Sequence, residues 1–586
     1  MTGTTKTGTQ KLEQDCCVVL KFGSSLLKDV FATRLAVNEI YRHVSVGKKA
    51  IVVISALAGE TDRLTDISKQ FQSLSDGHLA GFLATGEQQA SYLLGMAADD
   101  VGLNSVILSP KDLALTLTGS HLDAEPKSLN FDRLQKALID HDVVIVPGFY
   151  GIRENGKMGL LGRGGSDLSA LYIASVLKNH QCLSHCTLVK DVEGVFNKDP
   201  NTHWDQGDLE IYQSLDYQTA ASIAGVLVQP KSVTYAEKHG IGFNVARVGR
   251  DQGTYIGENA VVTKKPYMRG KAKKVLLAGL GVVGYGVYQF LQRSPDFEIV
   301  KVLVSNPKKH QDKAVPQSLL TSDVNVFNNH DADILIEALS VTDVALKAIE
   351  AALKSNIAVI SANKQAIYQN FKYLTTLSRE HGGGLRYSAA IGGGVPIIER
   401  CLAEQKAVSH VEAILNGTCN FVYSRIDEGI DAETAIKEAQ EAGFAEADPS
   451  ADIDGYDALA KIALIAATCG GIDIEVVDID RKDFEAPSTL DGQYVRQVAV
   501  FDGSPGAGQG VLSVKPTILD DHSILGKTTG AQNVAKVTFT DGSELFLKGL
   551  GAGRWPTTQS VLSDLYQWYN GLDARNAAEK HIKIAS

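Results

Sequence analysis

Two lysines and one aspartate have the residue types and the spacing expected of a proton-transfer site. Asp457 and Lys461 are four residues apart, so a helix would place both side chains on one face, where the carboxylate can orient the amine. Lys364 follows directly after another predicted strand. A lysine in a desolvated cleft has its pKa drawn toward neutrality and can then exchange a proton with a substrate. The alternative for Asp457 and Lys461 is an ion pair on an exposed helix.

A glycine motif points to a bound dinucleotide. Residues 275–284 are Val-Leu-Leu-Ala-Gly-Leu-Gly-Val-Val-Gly, an apolar strand that leads through G-x-G-x-x-G into a predicted helix. Gly279, Gly281 and Gly284 permit a tight turn, and the amides at the helix start, including those of Val282 and Val283, can face a pyrophosphate. The motif has the strand before it and the helix after it that it requires. The alternative is a glycine-rich packing turn.

The end of the next predicted strand bears on the choice of cofactor. An NAD-selective site usually has an acidic residue here for the ribose 2′-hydroxyl. Residues 305–309 contain none, and Ser305, Lys308 and Lys309 would suit a 2′-phosphate. The sequence therefore favours NADPH, with NADH as the alternative if the lysines are merely solvated.

The elements that must position these residues form two α/β patterns. Strand-like runs alternate with helical patterns over residues 1–262, and a basic Pro- and Gly-containing stretch, residues 263–273, is predicted to be a linker. A Rossmann-type pattern then covers 274–400. Residues 401–549 are an α+β domain with helices over about 418–469, and Asp541-Gly542 predicts a hairpin in which both turn residues have positive φ. Residues 550–586 are expected to return to the Rossmann-type domain.

Bulk composition excludes several classes of function. The chain has 586 residues and a formal net charge of −11, which argues against nucleic acid as a partner. No apolar run approaches the roughly 18 residues of a membrane helix, and the N-terminus lacks the apolar core of a signal peptide. Seven dispersed cysteines fit reduced thiols. We therefore expect a cytoplasmic protein with small-molecule substrates.

The second half resembles homoserine dehydrogenase. The motifs that carry the resemblance occur in one order: residues 361–364 (Ser-Ala-Asn-Lys), 388–397 (Ser-Ala-Ala-Ile-Gly-Gly-Gly-Val-Pro-Ile), 416–421 (Asn-Gly-Thr-Cys-Asn-Phe), 443–449 (Gly-Phe-Ala-Glu-Ala-Asp-Pro) and 551–557 (Gly-Ala-Gly-Arg-Trp-Pro-Thr). The resemblance covers about 273–565. It implies catalytic roles for Lys364, Asp457 and Lys461. It implies substrate contacts from Glu446, Asp452, Gly417 and Thr418, and cofactor contacts that include Ser340, Lys364 and Gly553.

The same resemblance raises the question of a monovalent cation. In many relatives a glutamate helps to coordinate sodium or potassium, and Ser388 stands at the matching position. The remaining ligands would be the backbone carbonyls of Ile391, Gly393 and Val395. One hard anionic ligand is therefore missing, which leaves the cation open.

The first half resembles the amino-acid kinase family, and aspartokinase in particular. The resemblance rests on residues 20–25 (Leu-Lys-Phe-Gly-Ser-Ser), 162–167 (Gly-Arg-Gly-Gly-Ser-Asp) and 190–200 (Lys-Asp-Val-Glu-Gly-Val-Phe-Asn-Lys-Asp-Pro). Phosphoryl transfer to a carboxylate needs cations and amides around the moving group. The ATP-binding residues implied are Lys21, Gly23, Ser24, Ser25, Asp191 and Lys198, with Lys21 also catalytic and magnesium arriving with ATP. The aspartate-binding residues implied are Ser55, Glu87, Arg163 and Asp167.

Departures from the kinase pattern leave alternatives open. The family usually has Gly-Thr-Ser where this chain has Ser24, Ser25 and Leu26, so one hydroxyl is lost and bulk is added near the phosphate. The rivals to a bifunctional aspartokinase/homoserine dehydrogenase are a dehydrogenase with a silent kinase domain and a metabolite sensor without turnover. Glutamate kinase activity is disfavoured by Arg163 in its aspartokinase-like motif.

The short predicted linker leaves no room for the regulatory modules that usually separate the two halves. We therefore expect little feedback inhibition by threonine or lysine through that route. The resemblance also implies a homo-oligomer, a dimer or a tetramer.

Overall fold

The computed structural model describes residues 12–203, 208–223, 227–267, 270–328, 331–445, 448–485, 493–503, 510–520 and 522–585. The chain divides into two compact units, Met1–Arg269 with Asp573–Ser586, and Gly270–Leu572.

The first unit alternates strands and helices. Its strands are Cys17–Phe22 (β1), Lys49–Ile54 (β2), Ser105–Ile107 (β3), Thr116–Gly119 (β4), Ala124–Ser128 (β5), Val143–Pro147 (β6), Tyr150–Arg153 (β7), Met158–Leu160 (β8), Leu183–Lys190 (β9), Glu210–Leu215 (β10), Phe243–Arg247 (β11), Thr254–Ile256 (β12) and Thr263–Pro266 (β13). Its helices are Ala32–Val44 (α1), Glu60–Ser68 (α2), Asp76–Leu83 (α3), Thr85–Asp99 (α4), Phe131–Asp140 (α5), Gly165–Asn179 (α6), Pro200–His203 (α7), Tyr217–Ile223 (α8) and Pro230–His239 (α9).

The main sheet of this unit has the order β13-β10-β12-β11-β9-β1-β2-β6-β3 within the described residues. β1 lies near its centre, parallel to β2 and β9, and all six of its residues are buried. Burial of every residue is typical of a parallel strand that is covered on both faces. The carboxyl ends of β1, β2 and β9 therefore meet at one edge, where ligands bind in open α/β sheets.

The predicted linker needs correction at its start. Thr263–Pro266 is not a loop but the strand β13, which pairs antiparallel with β10 at the edge of the main sheet. Lys264 forms an ion pair with Glu210 at 2.5 Å. Charged residues, lysine above all, are a normal feature of edge strands because they discourage pairing with another chain. Residues 263–266 therefore belong to the main sheet, and the remainder of the predicted linker stays a prediction.

The second unit contains two further sheets. Its strands are Lys273–Ala278 (β14), Phe297–Leu303 (β15), Leu320–Thr321 (β16), Ile334–Glu337 (β17), Ala358–Ser361 (β18), Leu385–Arg386 (β19), Val408–Ile414 (β20), Asp478–Arg481 (β21), Gln493–Asp502 (β22), Val511–Asp520 (β23), Gln532–Phe539 (β24) and Glu544–Leu550 (β25). Its helices are Val282–Leu291 (α10), Thr342–Lys354 (α11), Lys364–Gln369 (α12), Phe371–His381 (α13), Ile397–Ala403 (α14), Gly417–Asp427 (α15), Ala432–Glu441 (α16), Ser450–Ile453 (α17) and Tyr456–Cys469 (α18). The last helix, Arg554–Ala585 (α19), belongs to this unit as far as Leu572.

The first of these sheets is parallel, in the order β16-β15-β14-β17-β18-β19 among the described residues. The second has the order β21-β23-β22-β20-β24-β25. One continuous apolar core includes Leu276 of the parallel sheet, Ile462 of α18 and Val537 of the second sheet. The predicted helical section is confirmed as α15–α18, and α18 is buried through most of its length. Within this core, α18 packs directly against β20, β22 and β23 of the second sheet and against α12.

The predicted hairpin is confirmed, but its turn differs from the expectation. β24 and β25 pair antiparallel, with Thr538 opposite Glu544. Gly542 has a φ of 81°, whereas Asp541 is not among the residues of positive φ in the described chain. The Asp541 carboxylate instead accepts the Ser543 amide at 2.9 Å. The loop of residues 539–543 is longer than the two-residue turn expected, and Gly542 is its residue with positive φ.

The first part of α19 packs against the helix α10 and the strand β15 of the parallel-sheet domain. The Thr558 hydroxyl donates to the Val283 carbonyl at 3.5 Å, and the Tyr569 hydroxyl donates to Asp296 at 3.2 Å. The rings of Tyr566 and Tyr569 both make edge contacts with Phe297. These contacts hold the first part of α19 beside the glycine turn.

A buried arginine holds the second sheet to α15. The Arg496 guanidinium is fully buried, lies 2.6 Å from the Asp427 carboxylate, and donates to the carbonyls of Thr528 and Gly526.

We predict that Arg496→Met destabilises the second unit by about 3–5 kcal/mol, because Asp427 and the carbonyls lose their partner. Lys515→Met is the control, because the Lys515 side chain, on β23, forms an exposed ion pair with Asp480 of β21. This variant should lower the free energy of unfolding by less than about 1 kcal/mol. Urea unfolding of both variants checks this, and equal losses would contradict it.

Candidate active sites

Three charged side chains form a buried cluster at the carboxyl edge of the main sheet in the first unit. Lys21 lies on β1, Lys190 ends β9, and Asp167 lies in the first turn of α6. The Lys21 amine is 2.6 Å from one oxygen of Asp167, and the Lys190 amine is 3.1 Å from the other. All three side chains are buried. Two ammonium groups around one carboxylate leave an excess of positive charge, which suits a phosphoryl group.

The pKa shifts of this cluster agree with that arrangement. Burial lowers the pKa of Lys21 to about 8, although the charge of Asp167 opposes the shift. Burial would raise the pKa of Asp167, but the charges of Lys21 and Lys190 outweigh it and hold that pKa below its ordinary value. Asp167 is therefore ionised at neutral pH and orients both amines.

The turn after β1 explains the need for Gly23. A Cβ atom on Gly23 would lie 2.9 Å from the Lys21 amine. The amides of Leu26 and Leu27 both donate to the Gly23 carbonyl, at 3.0 and 3.1 Å, and so close the turn. Ser24 and Ser25 are exposed at its tip, and Leu26 is half-buried. The two serines thus remain available to a ligand.

A buried glutamate lies on the other side of this edge. One oxygen of Glu87 accepts the Ala56 amide at 3.1 Å, next to Ser55, which is buried after β2. Its second oxygen, Oε2, has no hydrogen-bond partner among the described residues. Burial raises the pKa of Glu87 to about 7. A ligand ammonium would satisfy Oε2, because a buried carboxylate without partners is costly.

Two predicted nucleotide residues lie outside the buried cluster. Asp191 is exposed and lies 3.8 Å from Lys28, and Lys198 pairs with Asp208. Arg163 is exposed, between Gly162 and Gly164, which have φ values of 74° and 76°. Lys190 belongs to a motif quoted above but was given no role there. Its position as the last residue of a buried strand was the signal that could have found it.

The glycine turn after β14 has the shape that a dinucleotide requires. A Cβ on Gly279 would lie 2.4 Å from the Ala338 carbonyl oxygen, and one on Gly284 would lie 2.2 Å from that of Gly279. Gly281 differs, since a Cβ there meets no atom within 4 Å. Gly281 and Val282 are exposed at the start of α10, where backbone amides face outward. Two glycines therefore build the turn, and the third leaves room for a pyrophosphate.

The other predicted cofactor residues surround this turn. Ser305 and Lys308 are exposed after β15, and Asn306 caps the short helix that contains Lys308 through a 3.0 Å hydrogen bond. Ser340 is exposed after β17. Gly553, with a φ of 128°, directly precedes α19. Ser305, Ser340 and Gly553 thus lie in loops, and Lys308 lies in the short helix after β15.

The three residues predicted for proton transfer are brought together by the fold. The Asp457 carboxylate contacts the Lys364 amine through one oxygen and lies 2.9 Å from the Lys461 amine through the other. Lys461 also donates to the Leu415 carbonyl at 2.7 Å. Lys364 is the first residue of α12, which packs against α18. The interpretation as a surface ion pair is therefore wrong, because Asp457 and Lys461 are both buried.

Both amines have lowered pKa values. Burial, with a further contribution from the charge of Lys461, lowers the pKa of Lys364 to about 7, against the opposing charge of Asp452. Burial lowers the pKa of Lys461 to about 8. An amine that titrates near neutrality is suited to general acid–base catalysis.

Asn416 joins this cluster to a second carboxylate, that of Asp452. Its side-chain amide donates to Asp452 at 2.8 Å and to Asp457 at 2.9 Å. Its oxygen accepts the Cys419 amide at 2.7 Å and so caps α15. The sequence assigned Asn416 to a motif but gave it no role, although an Asn before a helix is a recognisable cap signal.

The predicted substrate residues Gly417 and Thr418 make contacts other than those of the lysine and aspartate cluster. The Thr418 hydroxyl donates to the Phe444 carbonyl at 2.6 Å. A Cβ on Gly417 would lie 2.9 Å from the Ala531 carbonyl oxygen, so this glycine is required for close packing. Glu446 lies outside the described residues.

The residues present do not fit the implied cation site. Ser388 donates its hydroxyl to Asp564 at 2.9 Å. The Gly393 carbonyl accepts the Ser560 hydroxyl at 2.6 Å, and the Val395 carbonyl accepts the Ile397 amide at 2.8 Å. The Ser388 hydroxyl carries no negative charge and donates to Asp564, and the Gly393 and Val395 carbonyls each already accept one protein donor. The predicted ligand set therefore lacks the hard anionic oxygen of the implied site.

Comparison with known proteins connects this geometry to a family. Residues 279–388 match the family model "Homoserine dehydrogenase, NAD binding domain", and residues 396–566 match "Homoserine dehydrogenase". Homoserine dehydrogenase of Bacillus subtilis is 32% identical over 318 residues, which is 50% of this chain and 72% of that protein. The chain belongs to the homoserine dehydrogenase family.

The first unit has its own relatives. Residues 17–239 match the model "Amino acid kinase family". An aspartokinase of Geobacillus stearothermophilus is 28% identical over 273 residues, which is 46% of this chain and 66% of that protein. This homoserine dehydrogenase family member thus also carries an amino acid kinase domain.

Among solved structures, a homoserine dehydrogenase from Thiobacillus denitrificans is similar to part of the chain, at 26% identity and a TM-score of 0.48, and the match covers 52% of this chain and 74% of that one.

Among the helices that the structure describes, none is both long enough and apolar enough to span a bilayer.

The glycine turn yields a prediction that separates binding from folding. Gly281→Ala adds a methyl group that meets no protein atom but occupies the approach to a pyrophosphate. We expect its Kd for NADPH, measured by fluorescence titration, to rise at least about tenfold, with an unchanged unfolding temperature.

Gly270→Ala is the matched control, because a Cβ there also meets no atom within 4 Å. Its Kd should equal that of the wild type. Equal affinities in all three proteins would show that the ligand does not approach Gly281.

Proposed function

We propose that the chain carries two active sites of one biosynthetic route. The second unit interconverts aspartate semialdehyde and L-homoserine with a nicotinamide cofactor, and the first unit phosphorylates L-aspartate with MgATP. The observation that carries the dehydrogenase assignment is Asp457 held between Lys364 and Lys461 at the carboxyl end of a sheet that also bears the glycine turn.

The dehydrogenase reaction needs one proton transfer beside the hydride transfer. The nicotinamide ring accepts or donates the hydride when the cofactor is bound. Lys364 is the better candidate for the proton, because the Lys461 amine already contacts both Asp457 and the Leu415 carbonyl. In homoserine oxidation, neutral Lys364 takes the hydroxyl proton, and in the reverse direction charged Lys364 returns it. Asp452, with Glu446, would hold the substrate ammonium.

We propose NADPH as the preferred cofactor. Exposed Ser305 and Lys308 follow β15, the position at which the ribose 2′-substituent is read in this type of fold. Lys309, also exposed, adds a second positive charge. Cations and small polar groups favour a 2′-phosphate over a bare hydroxyl.

The kinase proposal rests on charge and on one unpaired oxygen. Lys21 and Lys190 supply positive charge for the transferred phosphoryl group, and Asp167 holds both amines. Glu87 Oε2 is buried without a partner among the described residues, which supports an acceptor that carries an ammonium group. Arg163 would bind the α-carboxylate in two hydrogen bonds.

A silent kinase domain is the second candidate. Ser24 and Leu26 depart from the usual kinase motif, but the buried cluster of Lys21, Asp167 and Lys190 is complete. A domain kept only for packing would not need a buried carboxylate between two buried amines, since such groups are costly to desolvate. The cluster therefore favours an active kinase.

Two single variants, one in each site and each assayed for both activities, test the two assignments independently. Lys21→Met should abolish aspartyl hydroxamate formation from aspartate, MgATP and hydroxylamine, and leave homoserine oxidation unchanged. Lys364→Met should lower homoserine oxidation by about 10²-fold or more and leave hydroxamate formation unchanged. Each variant lacks an amine that the other site does not use.

Lys69→Met and Lys372→Met are the controls, because both lysines are exposed and form surface ion pairs. Both should retain both activities. No hydroxamate from the wild type, with homoserine oxidation intact, would establish the silent kinase instead.

A further inference from the structure

A buried carboxyl group lies between the glycine turn and Lys364 but has no part in the proposed chemistry. Glu337 ends β17 and is fully buried. In the sheet register it lies opposite Ala278 of β14 on one side and opposite Ser361 of β18 on the other. Ala278 directly precedes the glycine turn, and Ser361 precedes Lys364 by three residues.

Uncharged donors satisfy both oxygens of Glu337. Oε1 accepts the Leu339 amide at 2.7 Å, and Oε2 accepts the Ser361 hydroxyl at 2.5 Å. Within the described residues no lysine or arginine forms an ion pair with it. Burial accordingly raises the pKa of Glu337 to about 7.

The hydrogen bonds continue from Glu337 to the start of α12. The Ser361 hydroxyl accepts the Asn363 amide at 3.1 Å, and the Asn363 side chain caps α12 by accepting the Ala366 amide at 2.9 Å. The Asn363 side-chain amide also donates to the Leu339 carbonyl at 3.1 Å. Glu337, Ser361, Asn363 and Leu339 thus form a closed ring of hydrogen bonds. Lys364, the first residue of α12, is the next residue after that ring.

The same ring borders the glycine turn. The Ala338 amide donates to the Ala278 carbonyl at 2.8 Å, and a Cβ on Gly279 would lie 2.4 Å from the Ala338 carbonyl oxygen. Ala338 is therefore joined to the residue before the turn by a hydrogen bond and packs closely against Gly279. The loop that Glu337 ties to β18 is the loop on which the turn packs.

A purely structural role would not require a carboxyl group. An apolar side chain of similar volume avoids the cost of desolvating a carboxyl, and such replacements of buried polar groups are often neutral for stability. What the carboxyl adds is direction, because its two oxygens hold two donors from different strands at fixed positions. The position of those donors matters most where a 1 Å displacement of a reacting group slows the reaction.

We propose that Glu337 is a positioning residue of the dehydrogenase, which holds the Lys364 amine against Asp457 and keeps residues 338–340 against the glycine turn. The inference rests on the proposed role of Lys364 in proton transfer. The charged groups that face the Lys364 amine are Asp457 and Lys461 of α18 and Asp452 of α17. Loosening the start of α12 would let Lys364 leave these groups and become hydrated, so its pKa would rise toward its ordinary value.

The test compares E337Q, S361A and I336V in the full-length protein. E337Q keeps the volume and one acceptor, and S361A removes only the hydroxyl that links β17 to Asn363. I336V is the control, because Ile336 is buried on the same strand and points to the opposite face. Competitive acetylation across a pH series, followed by mass spectrometry of the Lys364 peptide, reports the titration of this amine without cofactor or turnover.

We expect the Lys364 labelling midpoint to rise by at least about half a pH unit in E337Q and S361A and to stay unchanged in I336V. The kcat for homoserine oxidation should fall about tenfold or more in both variants, with KM for homoserine within about threefold of the wild type. The double variant should be no worse than the more affected single variant, because both changes break one network.

Unchanged labelling midpoints and kcat values in E337Q and S361A, with only a lower unfolding temperature, would overturn the inference. A failure of the proposed function is distinguishable from this result. Full homoserine oxidation by Lys364→Met would disprove the role of Lys364, while the labelling midpoints would still report whether Glu337 positions its amine.

Discussion

The dehydrogenase site depends on one buried carboxylate shared by two amines. Without Asp457, Lys364 and Lys461 would be two like charges in a desolvated space, and both would lose their protons or move apart. With it, the amines stay in place while burial holds their pKa values near 7 and 8. Asn416 donates to Asp457 and Asp452 and so fixes the carboxylate itself. The helix α18, which packs against α12 and against β20, β22 and β23 of the second sheet, supplies the rigid support.

The first unit contains the same arrangement of one carboxylate between two lysines, but for a different reaction. Asp167 also lies between two lysines, but its site must receive a phosphoryl group rather than exchange a proton. Lys21 and Lys190 come from neighbouring parallel strands, so their spacing is set by the sheet and not by a helix. In both units the charged side chains meet near the carboxyl ends of parallel strands, where ligands bind in open α/β sheets. Lys21 and Lys190 lie on the strands themselves, whereas Asp167, Lys364, Asp457 and Lys461 lie on helices.

The parts of these sites that depend on short-range sequence patterns could be predicted, whereas the contacts between residues far apart in the chain could not. The spacing of Asp457 and Lys461 and the glycines of the turn are short-range signals, and the structure places both as expected. The contacts of Lys190 with Asp167 and of Ser388 with Asp564 depend on which strands and helices become neighbours, which residue spacing does not specify. The strand β13 was missed for the same reason, because its partner β10 lies about fifty residues away in the chain.

The pH dependence of homoserine oxidation by Asp457→Asn tests the account most directly. Neutral Lys364 is the form that accepts a proton, so wild-type kcat/KM should rise with pH to a plateau above about pH 7. Replacing the carboxylate removes the charge that favours protonated Lys364, so this limb should move to lower pH, with the plateau lowered by about 10²-fold. A limb and plateau identical to those of the wild type would contradict the claim that Asp457 holds the proton-transferring amine.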